Sequence, residues 1–322
     1  MLDFADADDY DRAVDAMVGI DRWCSSTDWV LPLTAAMRPQ DPMLLTTDSG
    51  WGLFDRATDA DGRRILSGVD RVWGFACPVI GEPRVWAEIA EAITDVEHHV
   101  FLVPGLVEAS PTWQDALSGL DPTHVLHRAG GITRCRADLR EGFERWFGRR
   151  SPRFRQTMRR LRRDALHAGL VIEPVDADRA STLLDRLISI EQRSWKGAEG
   201  DGLSSPDMAG FYRLVLSRLG PQRTRCLVAR LDGADVGYIV GGVRGPTYRG
   251  LQLSATEDVR SLGVGHLLQL DQIERLCDEG IGTYDLGMDI PYKRRWSDET
   301  LETTTIAAFC RSASEPVTVV DR

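Results

Sequence analysis

The sequence predicts an α/β protein in which a mixed, mostly antiparallel sheet is flanked by helices. Tyr248–Lys293 reads as a strand, a glycine-bearing turn, a helix and a second strand. Before it, residues 224–254 read as three strands with turn signals at Asp232-Gly233 and Gly245-Pro246, which predicts an antiparallel meander. The first half alternates shorter strand and helix candidates. Together these patterns favour two fused halves of similar architecture.

Length and composition set the class of protein. The chain has 322 residues, 43% hydrophobic and 27% charged, which fits a globular protein of two ordinary domains. Its net charge of −10 argues against general nucleic-acid affinity. The six scattered cysteines and the acidic N-terminus predict reduced thiols and a cytoplasmic location, and no apolar run approaches the ~18 residues of a membrane span.

The first half carries no motif that points to chemistry. A helix is predicted over Ala5–Trp23 from its apolar side. Strand candidates Thr123–Arg128 and Ile132–Arg136 are separated by Gly130-Gly131, which predicts a two-residue hairpin. The six histidines have no metal-binding spacing, so no metal is expected.

An arginine-rich helical region, residues 138–167, follows. One face is apolar and consists of Phe154, Met158, Leu161 and Ala165. The other positions carry Arg149, Arg150, Arg153, Arg155, Arg159, Arg160, Arg162 and Arg163. The charged positions form either a cationic surface for phosphates, RNA or acidic lipid, or the solvated face of a connector.

The second half has the element order β-α-α-β-β-β-α-β-α-β. Its helices include Ala177–Trp195 and Pro206–Leu219. The turn Arg260–Gly265 lies between a strand and a helix, and its two glycines allow close approach of a ligand to the backbone. Because the first turn of a helix offers unpaired N–H groups, we expect a phosphorylated ligand here.

A dinucleotide-binding fold is one interpretation of this turn. Gly263 and Gly265 follow a strand, and Asp285 lies at the next strand. Two features disfavour it: the third glycine position is Leu268, and the preceding strand alternates polar and apolar residues instead of being apolar throughout.

The turn instead resembles the acyl-coenzyme A signature Q/R-x-x-G-x-G/A of the GNAT superfamily of N-acyltransferases. The element order of residues 168–311 is similar to that family as well. Ile190–Lys196 and Tyr284–Gly287, followed by Tyr292–Trp296, resemble the FemAB-related branch and its CelD-type acetyltransferase-like proteins, in which two GNAT-like halves are often fused.

The resemblance implies a GNAT-like fold, an acyl-CoA donor and no metal. It divides the chain into an N-terminal GNAT-like half without its own cofactor site (1–137), a basic helical connector (138–167) and an acyl-CoA-binding domain (168–322). The implied cofactor-binding residues are Leu253, Ser254, Ala255, Arg260, Ser261, Leu262, Gly263, Val264, Gly265 and His266.

The same resemblance directs the search for the catalytic groups. Tyr292 is the expected general acid and Glu191 the expected base. Asp285, Asp289 and Glu257 are alternatives for the base. Residues expected to line the acceptor pocket are Trp195, Lys196, Tyr212, Gln252, Asp289 and Lys293.

Three functions are compatible with these features. The first is an acyl-CoA-dependent, in particular acetyl-CoA-dependent, N-acyltransferase acting by direct attack on an amine of a small molecule or cell-envelope precursor. The second is a FemAB-like transferase that takes its acyl group from aminoacyl-tRNA. The third is a non-catalytic module that senses acyl-CoA. The sequence does not specify an oligomeric state.

Overall fold

A computed structural model describes residues 7–175, 180–200 and 202–311, with the side chains of residues 198 and 199 excepted. The helices are α1 (Ala7–Ala16), α2 (Arg22–Ser25), α3 (Thr27–Ala36), α4 (Val85–Ala92), α5 (Pro111–Leu120), α6 (Phe143–Gly148), α7 (Pro152–His167), α8 (Ala180–Glu191), α9 (Trp195–Glu199), α10 (Pro206–Arg223) and α11 (Val264–Asp278). The strands are β1 (Pro42–Thr47), β2 (Gly50–Thr58), β3 (Arg64–Gly68), β4 (Val79–Gly81), β5 (Val100–Leu106), β6 (His124–Asp138), β7 (Val171–Pro174), β8 (Thr224–Leu231), β9 (Ala234–Arg244), β10 (Thr247–Ala255), β11 (Thr283–Met288) and β12 (Glu299–Cys310).

The chain folds into two compact units. Unit 1 combines the described parts of residues 1–132 and 302–322, and unit 2 comprises the described parts of residues 133–301. These limits differ from the predicted ones in two ways. The basic helix α7 belongs to unit 2, because its apolar face is buried in the core of that unit. The C-terminal strand β12 ends in unit 1, where it pairs with β5.

Each unit has a mixed, mostly antiparallel sheet. In unit 1 the order is β1-β2-β3-β5-β12, with only β3 and β5 parallel, and β4 pairs with β2. In unit 2 the order is β6-β11-β10-β9-β8-β7, with only β10 and β11 parallel. The predicted α/β fold of two fused halves is confirmed, as is the meander β8-β9-β10.

Helices and sheet enclose the core of unit 2. The apolar stripe predicted on the basic helix, Phe154, Met158, Leu161 and Ala165, is buried there. It meets the apolar side of α11, represented by Leu267 and Leu270. A buried aromatic group consisting of Trp146, Phe154 and Trp296 joins α6, α7 and the segment after β11.

Two local predictions were wrong. The hairpin at Gly130-Gly131 does not form, since β6 runs without a break from His124 to Asp138. A type I′ turn needs positive φ at both central residues, and neither glycine has it. The helix predicted over Ala5–Trp23 instead ends at Ala16, and α2 begins separately at Arg22, because Gly19, with φ of 100°, interrupts it. The predicted starts of two helices, Ala5 and Ala177, lie outside the described residues.

Candidate functional site

The glycine turn connects β10 to α11 through a 3-10 helix, Glu257–Leu262. Gly263 has φ of 64° and ψ of 35°, a left-handed conformation in which a side chain is strained. A Cβ atom there would also lie 2.8 Å from a methyl carbon of Leu161 on α7. Gly263 is therefore required by the fold itself. Gly265 differs, because a Cβ atom on it would have no neighbour within 4 Å.

The first turn of α11 leaves backbone donors available. Gly263 accepts hydrogen bonds from the amides of His266 and Leu267, at 2.9 and 3.2 Å. The amides of Val264 and Gly265 precede them in the first turn, where a helix has no acceptor for its own N–H groups. These donors, beside the open space at Gly265, form a cradle suited to an anion.

The other predicted cofactor-binding residues near this cradle differ in their exposure and in their contacts. His266 stacks on the buried Trp296 at 5.9 Å between ring centroids, and burial together with Arg295 lowers the pKa of His266. Its imidazole is thus neutral at physiological pH. The Arg260 side chain is 85% exposed and lies 3.7 Å from Glu257, so it is held only by a surface ion pair. Val264 is buried, whereas Ser261 is exposed.

Strands β10 and β11 separate next to the turn. Their parallel pairing covers Thr247–Arg249 of β10, whereas pairing of β10 with β9 continues to Ala255. A bulge between Gly250 and Gln252 marks the point of separation. Beyond Arg249, the edge of β10 that faces away from β9 has no described strand partner. Leu253, Ser254 and Ala255, predicted to pair with the donor, lie on this stretch.

A chain of polar side chains runs along the open edge. Lys196 Nζ donates to the carbonyl oxygen of Leu253 and to Gln252 Oε1, both at 3.0 Å. Gln252 Nε2 donates in turn to the hydroxyl of Tyr212 at 3.1 Å. Next to Lys196, the ring of Trp195 is 54% exposed. The structure therefore brings together four residues that the sequence predicted to bind the acceptor.

A buried ion cluster lies where the strands part. The carboxylate of Asp285 is 2.7 Å from Arg249 Nη1 and 3.2 Å from Arg134 Nη1, and it accepts a hydrogen bond from the Gly287 amide at 2.8 Å. All three charged residues are buried. Arg136 Nε also lies 3.9 Å from this carboxylate, so Asp285 is already engaged by cations.

Sequence reasoning missed Arg134 and Arg249. Each is a charged residue inside a strand, and the residues directly before and after it in the chain are buried or half-buried. A charge at such a position is rare unless it is paired, and that is the signal that would have found them.

Lys293 adds a further cation to this region. Burial, followed by the nearby charge of Arg249, lowers the pKa of Lys293 to about 8, and Lys196 contributes in the same direction. The two predicted acceptor-binding lysines therefore lie within electrostatic reach of each other. The adjacent Tyr292 is 40% exposed, and burial of its hydroxyl together with Cys135 raises its pKa, which keeps it protonated at neutral pH.

Two carboxylates predicted to act in the site, Glu191 and Asp289, already accept hydrogen bonds from protein groups. Glu191 is fully buried and accepts hydrogen bonds from the Tyr238 hydroxyl at 2.6 Å and from the Leu203 amide. Asp289 accepts from Arg294 Nε at 2.8 Å, and this hydrogen bond lowers the pKa of Asp289.

Comparison with known proteins identifies the family of this unit. Residues 152–294, which include the glycine turn, the open strand edge and Lys293, match the family model of the acetyltransferase (GNAT) domain. The chain carries a GNAT acyltransferase domain. The enzyme class predicted from the sequence, a GNAT-type acyltransferase, is thereby confirmed. No curated protein matches the sequence.

Solved structures share the fold beyond the GNAT domain. A conserved protein of unknown function from Bacteroides thetaiotaomicron aligns with a TM-score of 0.65 at 14% identity, covering 96% of this chain and 98% of its own. FemX aligns with a TM-score of 0.63 at 12% identity, covering 92% and 95%. L-PGS from Bacillus licheniformis aligns with a TM-score of 0.55 at 12% identity, covering 89% of both chains. The predicted resemblance to the FemAB-related branch is confirmed at the level of the fold. In the described part of the chain, no helix is long and apolar enough to cross a bilayer.

Replacing Lys293 by methionine should change stability in a pH-dependent manner. Because the pKa of Lys293 falls from 10.5 to about 8 on folding, the unfolded chain binds more protons between these pH values, and the wild type gains stability as the pH rises through them. Below pH 8 the buried ammonium lowers the stability of the wild type by its full amount. Lys293→Met should therefore be more stable than the wild type at pH 7, by up to about 3 kcal/mol.

Urea unfolding at pH 7 and at pH 10 measures this difference. Arg294→Met serves as the control, because the Arg294 side chain is 67% exposed. An advantage of Lys293→Met that is equal at both pH values would show that the lysine is not titrating in the folded protein as described.

Proposed function

We propose that the protein is an N-acyltransferase that takes an acyl group, in the first instance acetyl, from acyl-CoA. The acceptor is an amine of a small molecule or cell-envelope precursor, and it attacks the thioester directly without a covalent enzyme intermediate. The observation that carries this proposal is the open edge of β10 from Gly250 to Ala255, which leads directly to the anion cradle at the start of α11.

The successive chemical groups of an acyl-CoA match successive parts of this site. Its pyrophosphate needs backbone donors and space, which Val264 and Gly265 provide at the first turn of α11. Its pantetheine amides need strand-like partners, which the free edge of β10 provides. The Leu253 carbonyl now accepts from Lys196, and a pantetheine N–H would take over this hydrogen bond.

The charge of the site favours an acidic acceptor. Arg249, Lys196 and Lys293 lie in the region where β10 and β11 separate. A carboxylate or phosphate on the acceptor would be attracted by these cations. Amino acids and phosphorylated envelope precursors carry such groups beside an amine.

Tyr292 and Lys293 are assigned the proton transfers. As the amine nitrogen forms a bond to the thioester carbon, Lys293 in its neutral form accepts the proton from that nitrogen. When the carbon–sulfur bond breaks, Tyr292 donates its proton to the departing thiolate. Lys293 is preferred as the base because the carboxylates of Glu191, Asp285 and Asp289 already accept hydrogen bonds or ion pairs.

Binding of the donor is tested at Gly265. Isothermal titration with acetyl-CoA and with longer acyl-CoAs should give one site in the wild type. Gly265→Glu should weaken binding at least ~10-fold, because a carboxylate would occupy the anion cradle, whereas a negative charge in a first helical turn is itself favourable to the helix.

Gly265→Ala is the matched control and should bind like the wild type, since a Cβ atom there meets nothing within 4 Å. Gly263 is unsuitable for this test, because its replacement strains the backbone and displaces Leu161. A folded wild type that binds none of the acyl-CoAs would exclude this class of donor.

The catalytic roles are tested with a panel of acidic amines and detection of the released thiol. Tyr292→Phe should lower kcat by ~10²–10⁴ while the Kd for acyl-CoA is unchanged. In the wild type, kcat/KM should rise with pH through an apparent pKa near 8, and this step should be absent from Lys293→Met. Loss of the step in Glu191→Gln instead would assign the base to Glu191.

A second donor, aminoacyl-tRNA, is favoured by the surface of α7. Arg153, Arg159 and Arg160 are exposed on this helix. At its start, an open cavity of about 300 Å³ is lined in part by Arg149, Arg150 and Arg295, although Asp298 pairs with the first two. The fold shared with FemX and L-PGS is consistent with a donor of this kind, which the FemAB resemblance includes.

Filter binding with charged tRNA at several salt concentrations distinguishes the two donors. If tRNA is the donor, Arg153→Glu combined with Arg160→Glu should weaken binding and lower the slope of log K against log salt by about 2, since two phosphate contacts are lost. The control combines Arg12→Glu with Arg84→Glu, which changes the net charge equally on exposed side chains of unit 1. Equal effects of both pairs would indicate nonspecific attraction only.

A further inference from the structure

Three potential metal ligands converge in unit 1. Cys310 Sγ lies 3.4 Å from His98 Nε2 and 3.9 Å from His124 Nε2. All three ligand atoms lie within 4.8 Å of one another. The residues are far apart in the chain, so no local sequence motif predicts this cluster.

The spacing suits a tetrahedral zinc ion. With Zn–N bonds of about 2.0–2.1 Å and a Zn–S bond of about 2.3 Å, tetrahedral angles place nitrogen and sulfur about 3.5 Å apart. Both observed nitrogen–sulfur distances are close to this value.

The other nitrogen of each imidazole is already anchored. His98 Nδ1 lies 2.6 Å from the Val96 carbonyl oxygen, which can only accept, so this nitrogen carries the proton. His124 Nδ1 lies 2.7 Å from the Thr123 hydroxyl, which itself donates to the Leu120 carbonyl at 3.3 Å. The hydroxyl therefore accepts from His124 Nδ1. Such outer hydrogen bonds orient metal-binding histidines in known sites.

These anchors leave both Nε2 atoms as acceptors directed at one sulfur. A thiol has a single proton and satisfies only one of them. A cation between the three atoms satisfies both lone pairs and a thiolate together. The arrangement thus has one donor too few for a purely hydrogen-bonded cluster.

Two of the three residues belong to strands, and the third lies close to one. His124 is the first residue of β6 and is fully buried, and Cys310 is the last residue of β12. His98 lies two residues before β5, which pairs with β12. The two rings are stacked, with centroids 5.9 Å apart and an interplanar angle of 26°.

We propose that His98, His124 and Cys310 bind Zn²⁺ in unit 1. One thiolate and two imidazoles form a donor set that selects zinc over magnesium or calcium, which prefer oxygen ligands. Water or another exogenous ligand completes the tetrahedron. The ion ties the ends of β6 and β12 to the segment before β5.

Equilibrium dialysis of the full chain against Zn²⁺, followed by metal analysis, tests this site. The wild type should retain about one equivalent, and Cys310→Ser should lose it. Cys277→Ser is the matched control, because Cys277 is also a half-buried thiol but lies on α11 in unit 2. A wild type that retains no zinc, or a Cys310→Ser protein that retains as much as the control, would overturn the proposal.

Co²⁺ provides an independent measurement whose decisive reading is made on the wild type. Loading the wild type and Cys277→Ser with Co²⁺ should produce sulfur-to-cobalt charge-transfer absorption, which Cys310→Ser should lack. Zn²⁺ should also raise the Tm of the first two proteins and leave that of Cys310→Ser unchanged. Metal retention without charge-transfer absorption in the wild type would rule out ligation by Cys310.

Discussion

The ion pair between Arg249 and Asp285 stands at the last residue pair of β10 and β11, and the geometry of the site depends on it. The two residues are partners in the strand register, and their charged atoms are 2.7 Å apart in a buried environment. Removing one member of such a pair leaves an uncompensated buried charge, which typically costs about 3–5 kcal/mol. The pair therefore fixes where the strands stop pairing, and with it where the open edge of β10 begins.

The neighbouring cations are a consequence of the same pair. Arg134 shares the Asp285 carboxylate with Arg249. Burial, followed by the nearby charge of Arg249, lowers the pKa of Lys293 to about 8. A structural ion cluster thus creates a lysine that can release its proton near physiological pH, beside a tyrosine that stays protonated. Both properties arise from desolvation and from charges that strand pairing has placed nearby.

Aromatic packing positions the other end of the site. Trp296 stacks on Trp146 and on His266, and it packs edge-to-face against Phe154. This group connects the arginine-rich helix to the first turn of α11, and Leu161 fills the space beside Gly263. The helix predicted as a connector is thus part of the wall behind the anion cradle. Its arginines point outward because its apolar face is buried in this packing.

The sequence by itself determined the elements that rest on local chemistry. Alternation and turn residues predicted the meander, the 3.6-residue periodicity predicted the buried face of α7, and Arg260–Gly265 predicted the anion cradle. Only the tertiary structure decided which charges meet. Arg134, Arg249 and Asp285 lie on three different strands, and His98, His124 and Cys310 are separated by up to 212 positions. The hairpin predicted at Gly130-Gly131 also failed for this reason, because long-range strand pairing overrode a local turn signal. Strand register brings distant residues together, and no spacing along the chain encodes it.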